Sequence, residues 1–269
     1  MDKKHETFET QDMHETQDMT RYLQMADEYR MLYDYHTHTI YSHGKGTVED
    51  NVREAHEKGL SAIAITDHGP GHLTYGFDMK KVKEIRAEIG RLQEIYPDVK
   101  ILLGIEANTK RTAPYIDLTE EEKAEFDIVL AGYHFGLTGA GCVPNWISSH
   151  TGFFGGDSTL KVKNTAMILD ALYNNKIDVL THPGDKGPFD IEDIAKACAD
   201  TGTLMEINMK HQHLTEEEIR IAARCDVKFI IGSDAHVPQA VGTFQGSLAR
   251  ALAAGLDPAR IVNIEKKQK

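Results

Sequence analysis

The sequence Met-Leu-Tyr-Asp-Tyr-His-Thr-His at residues 31–38 ends a short β-type run on two histidines. The same arrangement, an apolar run that stops at a histidine or an acid, recurs in Thr66-Asp67-His68, Gly104-Ile105-Glu106, Gly132-Tyr133-His134, Thr181-His182-Pro183 and Ser233-Asp234-Ala235-His236. Parallel strands of a barrel bring their carboxyl ends to one face, where such enzymes build their active sites. The repetition therefore predicts a metal centre at the strand ends.

Short β-type runs alternate with longer amphipathic runs along the rest of the chain. Strands are predicted near 31–37, 62–66, 100–106, 127–133, 178–182, 203–208 and 227–233. Helices are predicted near 47–58, 79–96, 158–175, 190–201, 215–224 and 245–254. This alternation is typical of parallel βαβ units. Because nearly every strand ends on a candidate ligand, the pattern favours a closed or nearly closed α/β barrel over an open doubly wound sheet, which would gather its ligands at one switch point.

Several predicted elements carry local signals at their ends. Gly59 and Gly202 precede strands and are typical of helix C-terminal stops, while Thr47 with Asp50 resembles a helix N-cap. The glycine-rich segment 135–157 lacks the Gly-Lys-Ser/Thr ending of a phosphate-binding loop. We therefore expect a long irregular loop over the site.

The first part of the chain differs in character from the rest. Residues 1–28 are polar and repeat Glu-Thr-Gln-Asp-Met at 9–13 and 15–19. A segment that buries so little apolar surface is expected to be a flexible or weakly helical extension. Residues 29–269 are expected to form one domain that carries all the strand-end motifs.

The composition restricts the partners. The chain has 42 acidic and 30 basic residues, and the formal charge of −12 disfavours binding to long nucleic acid or to an anionic membrane. A small anionic substrate is compatible, since the charges of bound cations are missing from this sum. Three cysteines without a CxxC pair, and the lack of a signal-like apolar segment, predict a cytoplasmic protein. No feature of the sequence indicates an oligomeric state.

The candidate ligands of the first and last strands share one face. Alternate side chains of a strand point to the same side, so Asp34, His36 and His38 are expected to face the barrel interior. Asp234 and His236 have the same spacing as the two histidines. Two histidines spaced in this way can hold one ion.

Other residues are candidates for supporting roles. Asp34 and Asp67 are expected to accept the second ring N–H of a ligand histidine, although Asp67 fits a plain turn or cap equally well. Glu206 and Asn208 share a face at the sixth strand end, where they are candidates to orient ligands or line the pocket. Positive side chains that follow strand ends, and are candidates to bind a second phosphate or a carboxylate, are Lys45, Lys110, Arg111, Lys186 and Lys210.

Taken in order, these motifs resemble the PHP superfamily, named for polymerase-associated and histidinol-phosphatase domains. The similarity runs from about residue 31 to 262 and is carried by the strand-end motifs quoted above. It looks closest to the stand-alone bacterial phosphatase branch. That resemblance implies a distorted seven-stranded (βα)7 TIM-like barrel with a trinuclear, usually zinc, centre.

The resemblance also implies how three divalent ions are held. The ligand sets are His36, His38, Glu106 and Asp234 for one ion, Glu106, His134 and His182 for a second, and His43, His68 and His236 for the third. A histidine-rich set suits zinc, while manganese or iron can share such ligands. No expected ligand is substituted, which argues against a non-catalytic metal-binding relative.

A centre of this kind predicts phosphate-ester hydrolysis. Three divalent ions carry six positive charges, and two carboxylates with a bridging hydroxide remove roughly three of them, which leaves a site matched to a phosphate dianion. The expected enzyme is a metal-dependent phosphatase in which a metal-bound hydroxide hydrolyses phosphate monoesters of a small metabolite or nucleotide. The alternatives are a phosphodiesterase or exonuclease on short oligonucleotides, an amidohydrolase, and a non-catalytic metal-binding domain.

Overall fold

The fold is described from a computed structural model, which covers residues 19–137, 142–151 and 158–268. Residues 1–18 of the predicted extension lie outside these ranges, and residues 19–26 form a first helix, α1. Strand β1 (Tyr29–Met31) follows and pairs antiparallel with the last strand, β9 (Ile264–Lys266). The two ends of the described chain are thereby joined in a small sheet of their own.

Seven further strands form one parallel sheet whose spatial order follows the chain. They are β2 (Tyr33–Asp34), β3 (Ala62–Ile65), β4 (Lys100–Asn108), β5 (Ile128–Gly132), β6 (Val179–Leu180), β7 (Leu204–Asn208) and β8 (Phe229–Gly232). The segments beyond the two outermost strands meet, because the His38 N–H donates to the Ala235 carbonyl at 2.8 Å. Thr37 and Ala235 form a parallel bridge at the same place. The sheet is a nearly closed barrel, and the predicted seven-stranded α/β barrel is confirmed.

Helices alternate with these strands in the described residues; six of those that follow were predicted, while the helices at 120–123 and 142–151 were not. The helices are α2 (Val48–Glu57), α3 (Val82–Ile95), α4 (Glu120–Lys123), α5 (Cys142–Thr151), α6 (Ser158–Asn174), α7 (Ile191–Thr201), α8 (Glu216–Ala222) and α9 (Gln245–Ala253). Short 3-10 turns occupy Met79–Lys81, Pro238–Ala240 and Pro258–Arg260. Thr47 and Asp50 form the expected capping box at the start of α2. In the part of the chain that the structure covers, no helix has the length and apolar character needed to cross a bilayer.

The segment 135–157 differs from its prediction as an irregular loop. Helix α5 lies within it, and Pro144 falls in the first turn, where its missing N–H costs no helical hydrogen bond. Asn145 and Ser148, one turn apart, are buried, and Asn145 donates to the Tyr133 hydroxyl at 2.9 Å. The loop prediction is therefore wrong for residues 142–151, while residues 138–141 and 152–157 lie outside the described residues.

The first predicted strand, 31–37, is divided in the structure between β1 and β2. Strand β1 leaves the barrel to pair with β9 at the other end of the chain. Such a distant pairing leaves no local periodicity in either segment. This is why β9 and the break after Met31 were not predicted.

Two apolar cores lie on opposite faces of the barrel strands. Ala64, Leu130 and Ile230 form the interior core together with other strand residues. Side chains of opposite parity, such as Ile63, pack with helix residues such as Ile85 in the outer core. Strands buried on both faces are the expected consequence of helices that cover a parallel barrel.

Substitution of alanine for glycine at two positions should change the free energy of unfolding in opposite directions. The two changes test the local conformation of helices α3 and α7. Gly202 ends α7 at a left-handed φ of 73°, so Gly202→Ala should lower the free energy of unfolding by about 1 kcal/mol. Gly90 is exposed inside α3 with no atom near a new Cβ, so Gly90→Ala should raise it by about 0.5–1 kcal/mol. Urea denaturation of both variants measures the two changes. Equal signs would contradict the local conformations described here.

Candidate metal centre

The alternation of side chains along each strand carries the interior face of the barrel into the site. Steps of two residues lead from Leu130 in the interior core through Gly132 to His134, and the same alternation turns Glu106 inward from β4. The layer between core and site contains glycine for a steric reason. A Cβ at Gly132 would collide with Oγ1 of Thr181, which donates a hydrogen bond of 2.8 Å to Glu106 Oε1.

Glu106 lies fully buried at the middle of the site. Its Oε1 atom is 3.0 Å from His182 Nε2 and 3.3 Å from His134 Nε2. Oε1 is also 3.3 Å from His36 Nε2, and Oε2 is 2.9 Å from His68 Nδ1. Burial alone would raise the pKa of Glu106, but the surrounding histidines, His134 first, outweigh burial and hold the pKa well below its ordinary value. The carboxylate is therefore ionised.

Asp234 provides the second carboxylate, directly after β8. Its Oδ1 atom is 3.2 Å from both His38 Nε2 and His236 Nδ1, and 3.7 Å from His36 Nε2. Burial again raises the pKa of Asp234, and the charge of His36 together with hydrogen bonds from other histidines lowers it well below the ordinary value. Burial lowers the pKa of His38, so this imidazole is neutral and keeps a lone pair for a ligand.

A third part of the site is built from loop histidines. His43 Nε2 lies 2.6 Å from His236 Nε2, and the His43 ring stacks on His68 with a centroid distance of 4.8 Å. Burial, followed by the charge of His236, lowers the pKa of His43 to about 3. His43 is therefore also a neutral imidazole. All nine predicted ligand residues thus lie within one continuous cluster.

Among the described residues, three groups of side chains could each hold a metal ion. Within each group, the potential ligand atoms lie within 4.8 Å of one another. The groups are His36 with His38 and Glu106, His68 with Glu106 and His134, and His38 with His68 and His236. The first group falls within one predicted ligand set. The other two cross the predicted sets, because His68 of the third set lies close to Glu106 and His134 of the second and to His38 of the first.

Several buried atoms of this cluster lack a hydrogen-bond partner among the described residues. They include His36 Nε2, His38 Nε2 and Glu106 Oε2, because their short contacts, such as that of Glu106 Oε2 with His68 Nδ1, lack the alignment of a hydrogen bond. An unpartnered buried polar atom is costly, and a divalent cation placed between these three would satisfy all of them. The pKa of His36 is raised well above its ordinary value because Glu206, Glu106 and Asp234 outweigh burial, so negative charge is in excess here. The donor set of nitrogens and carboxylates fits zinc, iron or manganese.

Glu206 takes the role of orienting a histidine at the site. Its Oε1 atom lies 2.6 Å from His36 Nδ1, and its Oε2 atom accepts the backbone N–H of His182 at 2.7 Å. Asn208 donates to the same carboxylate at 2.9 Å. A carboxylate behind a ligand histidine fixes the tautomer and raises the basicity of the ring nitrogen that faces a metal. The expectation that Glu206 and Asn208 orient ligands agrees with these contacts.

Asp34 and Asp67 have partners other than the predicted histidine rings. Asp34 accepts the backbone N–H of Gly242 at 2.8 Å, which ties the first strand to the segment after β8. Asp67 accepts the Thr39 N–H at 2.8 Å and the Ser42 hydroxyl at 2.5 Å, and so holds the loop that carries His43. The predicted ring hydrogen bonds are absent among the described residues. Both aspartates instead fix backbone segments that bear candidate ligands.

The cluster opens into a cavity of about 170 Å³, here called the centre pocket. Two of the five predicted positive residues, Lys186 and Lys210, line it, and Lys210 Nζ is 3.0 Å from His236 Nδ1. The guanidinium of Arg111 is directed instead to Asn164, at 3.3 Å. Lys45 and Lys110 are not among the described residues that line this pocket.

Two contributors were missed by the sequence analysis. The hydroxyl of Thr181 contacts Glu106, and its place next to His182 at a strand end was an available signal. Tyr75 stacks on His72 and His43 with centroid distances of 3.9 Å and 4.4 Å. Nothing in the loop sequence around Tyr75 indicated this position.

The family of the chain follows from sequence comparison. The model of the PHP domain matches residues 34–210. This chain belongs to the PHP domain family. A probable phosphatase of Thermoanaerobacter sp. (strain X514) is 32% identical over 251 residues, covering 88% of this chain and 91% of that protein. A probable phosphatase of Proteus mirabilis (strain HI4320) is 33% identical over 222 residues, covering 79% of this chain and 81% of that protein.

A solved structure with a similar fold is the histidinol phosphate phosphatase of Lactococcus lactis subsp. lactis, determined with zinc, L-histidinol and phosphate. The two chains superimpose with a TM-score of 0.57 at 19% identity, covering 84% of this chain and 95% of that one. At this level of identity the likeness establishes the shared fold. The family predicted from the strand-end motifs is confirmed.

The contacts of Glu206 generate a prediction about metal retention. Glu206→Gln keeps the size of the side chain but removes the charge behind His36, and it should weaken binding of a divalent ion about 10- to 100-fold. Competition against a chromogenic chelator measures this loss. Glu94→Gln, on the exposed face of α3, is the matched control and should bind like the unaltered protein. Equal metal affinity in both variants would show that Glu206 does not support the metal centre.

Proposed function

We propose that this PHP chain is a metal-dependent phosphatase that hydrolyses the phosphate monoester of a small phosphorylated metabolite or nucleotide. The observation that carries the proposal is the cluster of nine histidine and carboxylate residues around the centre pocket. The predicted enzyme class is confirmed by relatives of similar sequence. Two of them are probable phosphatases, and the similarity covers 88% and 79% of this chain.

The nine residues are proposed to hold three divalent ions in the sets stated from the resemblance. Zinc is proposed because imidazole is the dominant ligand type, and manganese or iron would accept the same donors. The position of His68, 2.9 Å from Glu106 by its Nδ1 atom, makes it the side chain that links the second and third sets. Ions bound here would supply Lewis acidity that activates water and neutralises phosphoryl oxygens.

The chain itself contributes a shaped and charged pocket. The centre pocket, at about 170 Å³, has room for a phosphate group. Glu106 and Asp234, both ionised, keep the ions in place, while Lys186 and Lys210 add positive charge at the pocket wall. Glu206 holds the His36 ring and the His182 backbone in position. Each of these contacts pre-organises the site before substrate arrives.

The substrate is proposed to be small. The formal charge of −12 opposes binding of long nucleic acid, whereas a single phosphate can be drawn to the cations of the centre. The Lactococcus lactis neighbour was determined in complex with L-histidinol and phosphate, which supports the proposal of a small substrate. We also propose a cytoplasmic location, on the basis of the cysteine content described above.

Phosphate release tests the function. Purified protein, assayed for metal content, should release phosphate from p-nitrophenyl phosphate and lose this activity after treatment with a chelator. The double variant His182→Ala with Asp234→Ala should lose at least about 100-fold in kcat/KM, since it removes ligands from two proposed sets. His56→Ala, on the exposed side of α2, is the control and should retain activity.

The same assay separates the alternatives. Faster hydrolysis of bis-p-nitrophenyl phosphate than of the monoester would support a phosphodiesterase. Hydrolysis of amides alone would support an amidohydrolase. Stoichiometric metal without turnover of any ester would identify a non-catalytic PHP domain.

A further inference from the structure

A second cavity adjoins the centre pocket. It measures about 720 Å³ and shares Phe135, Lys186 and His211 with the centre pocket. We call it the side cavity. Its volume lies in the range of about 300–1,000 Å³ that holds small organic ligands. Nothing in the proposed phosphate chemistry uses this space.

Lys186 stands where the two cavities meet and is held there by a neighbouring carboxylate. Its Nζ atom is 2.7 Å from Asp185 Oδ2, and the same oxygen is 3.1 Å from His211 Nδ1. The Lys186 side chain is largely buried, with 20% of its surface exposed. One carboxylate oxygen thus positions two side chains of the shared wall. A lysine held in this way meets a ligand with little further loss of side-chain entropy.

The backbone of Lys186 supports a functional role independently. It lies at a left-handed φ of 65°, a conformation that costs a residue with a Cβ roughly 1–2 kcal/mol. The other non-glycine residues with positive φ in the described chain are Tyr115, His182 and Asp234. Two of these three are proposed metal ligands. Strain of this kind is typically kept where function requires a side chain at that position.

The walls of the side cavity define the class of ligand. Phe135 and Phe189 provide aromatic wall, and the centroid of each ring lies 6.0 Å from that of Tyr133. On the polar side, His213 Nδ1 is 3.0 Å from Glu218 Oε2. A group that combines an aromatic ring with hydroxyl or amine functions would pair with both kinds of wall.

We propose that the side cavity is the binding site of the leaving group, a polar, ring-bearing alcohol of up to about nucleoside size, and that Lys186 binds the phosphoester at its entrance. This inference rests on the proposed phosphatase function. Phosphate lies in the centre pocket, the ester oxygen lies beside Lys186, and the alcohol extends past Phe135.

Lys186→Gly distinguishes a substrate-binding residue from a structural one. Glycine relieves the left-handed strain, so the melting temperature of metal-free protein should rise by about 2 °C. In the metal-loaded enzyme, the KM for phosphomonoesters and the inhibition constant of inorganic phosphate should each rise about 10-fold. The matched control is Lys45→Met. Lys45 is exposed at the same end of the barrel and is not among the described residues that line either cavity, so this change should alter neither constant.

Phe189→Ala, at a residue that lines the side cavity but not the centre pocket, tests the side cavity itself. The KM should rise for a nucleoside monophosphate and stay unchanged for methyl phosphate, because only the larger alcohol reaches the ring. The unaltered enzyme should likewise prefer the nucleoside monophosphate in kcat/KM by at least about 10-fold. Equal kcat/KM for the two esters would overturn the leaving-group site.

The inference and the proposed function fail in different ways. A Lys186→Gly variant with a lowered melting temperature and unchanged constants would show a structural lysine and overturn its binding role. If the unaltered, metal-loaded enzyme releases phosphate from no ester, the proposed function fails. In that case calorimetric titration with inorganic phosphate still tests Lys186, since equal affinity in Lys186→Gly would overturn it.

Discussion

The buried carboxylate of Glu106 is the interaction on which the rest of the structure depends. An ionised group without solvent is very costly unless opposite charge or hydrogen-bond donors surround it. Four histidines from four separate places in the chain lie within 3.3 Å of its two oxygens. Each of those histidines stands at or just beyond the end of a parallel strand. These histidines can all reach Glu106 only if the strands of the barrel run in the same direction and end at the same level.

Closure of the barrel completes that arrangement. The hydrogen bond between the His38 N–H and the Ala235 carbonyl joins the first and last strand ends, which brings Asp234 beside His38. Asp34 secures the same junction through the Gly242 N–H. Beneath the ligands, a Cβ at Gly232 would collide with the Glu206 carboxylate, so glycine leaves the space that Glu206 needs to reach His36. The metal centre and the seam of the barrel are therefore one structure.

The elements with strong local signals were predictable from sequence. Helix α7 shows why, since its amphipathic run begins at the Asp190 cap and ends at Gly202, and both signals lie within the segment. Helix α5 was missed because glycines on either side obscured a short helical run. The ring contact expected of Asp34 was wrong because sequence periodicity gives the face of a strand but not the partner on the neighbouring strand. Glu206, two residues before Asn208 on the inward face, took that position instead.

The sequence by itself determined the type and order of the candidate ligands, because each strand end carries its own histidine or acid and side-chain alternation sets the inward face. Only the tertiary structure decided that His68 lies close to both Glu106 and His38, and that Lys186 stands between two cavities. Local sequence controls the direction of a side chain relative to its own backbone. Distances between strand ends depend on how the barrel twists and closes, and on loop conformations such as the positive φ of Lys186, which arise from contacts between distant parts of the chain.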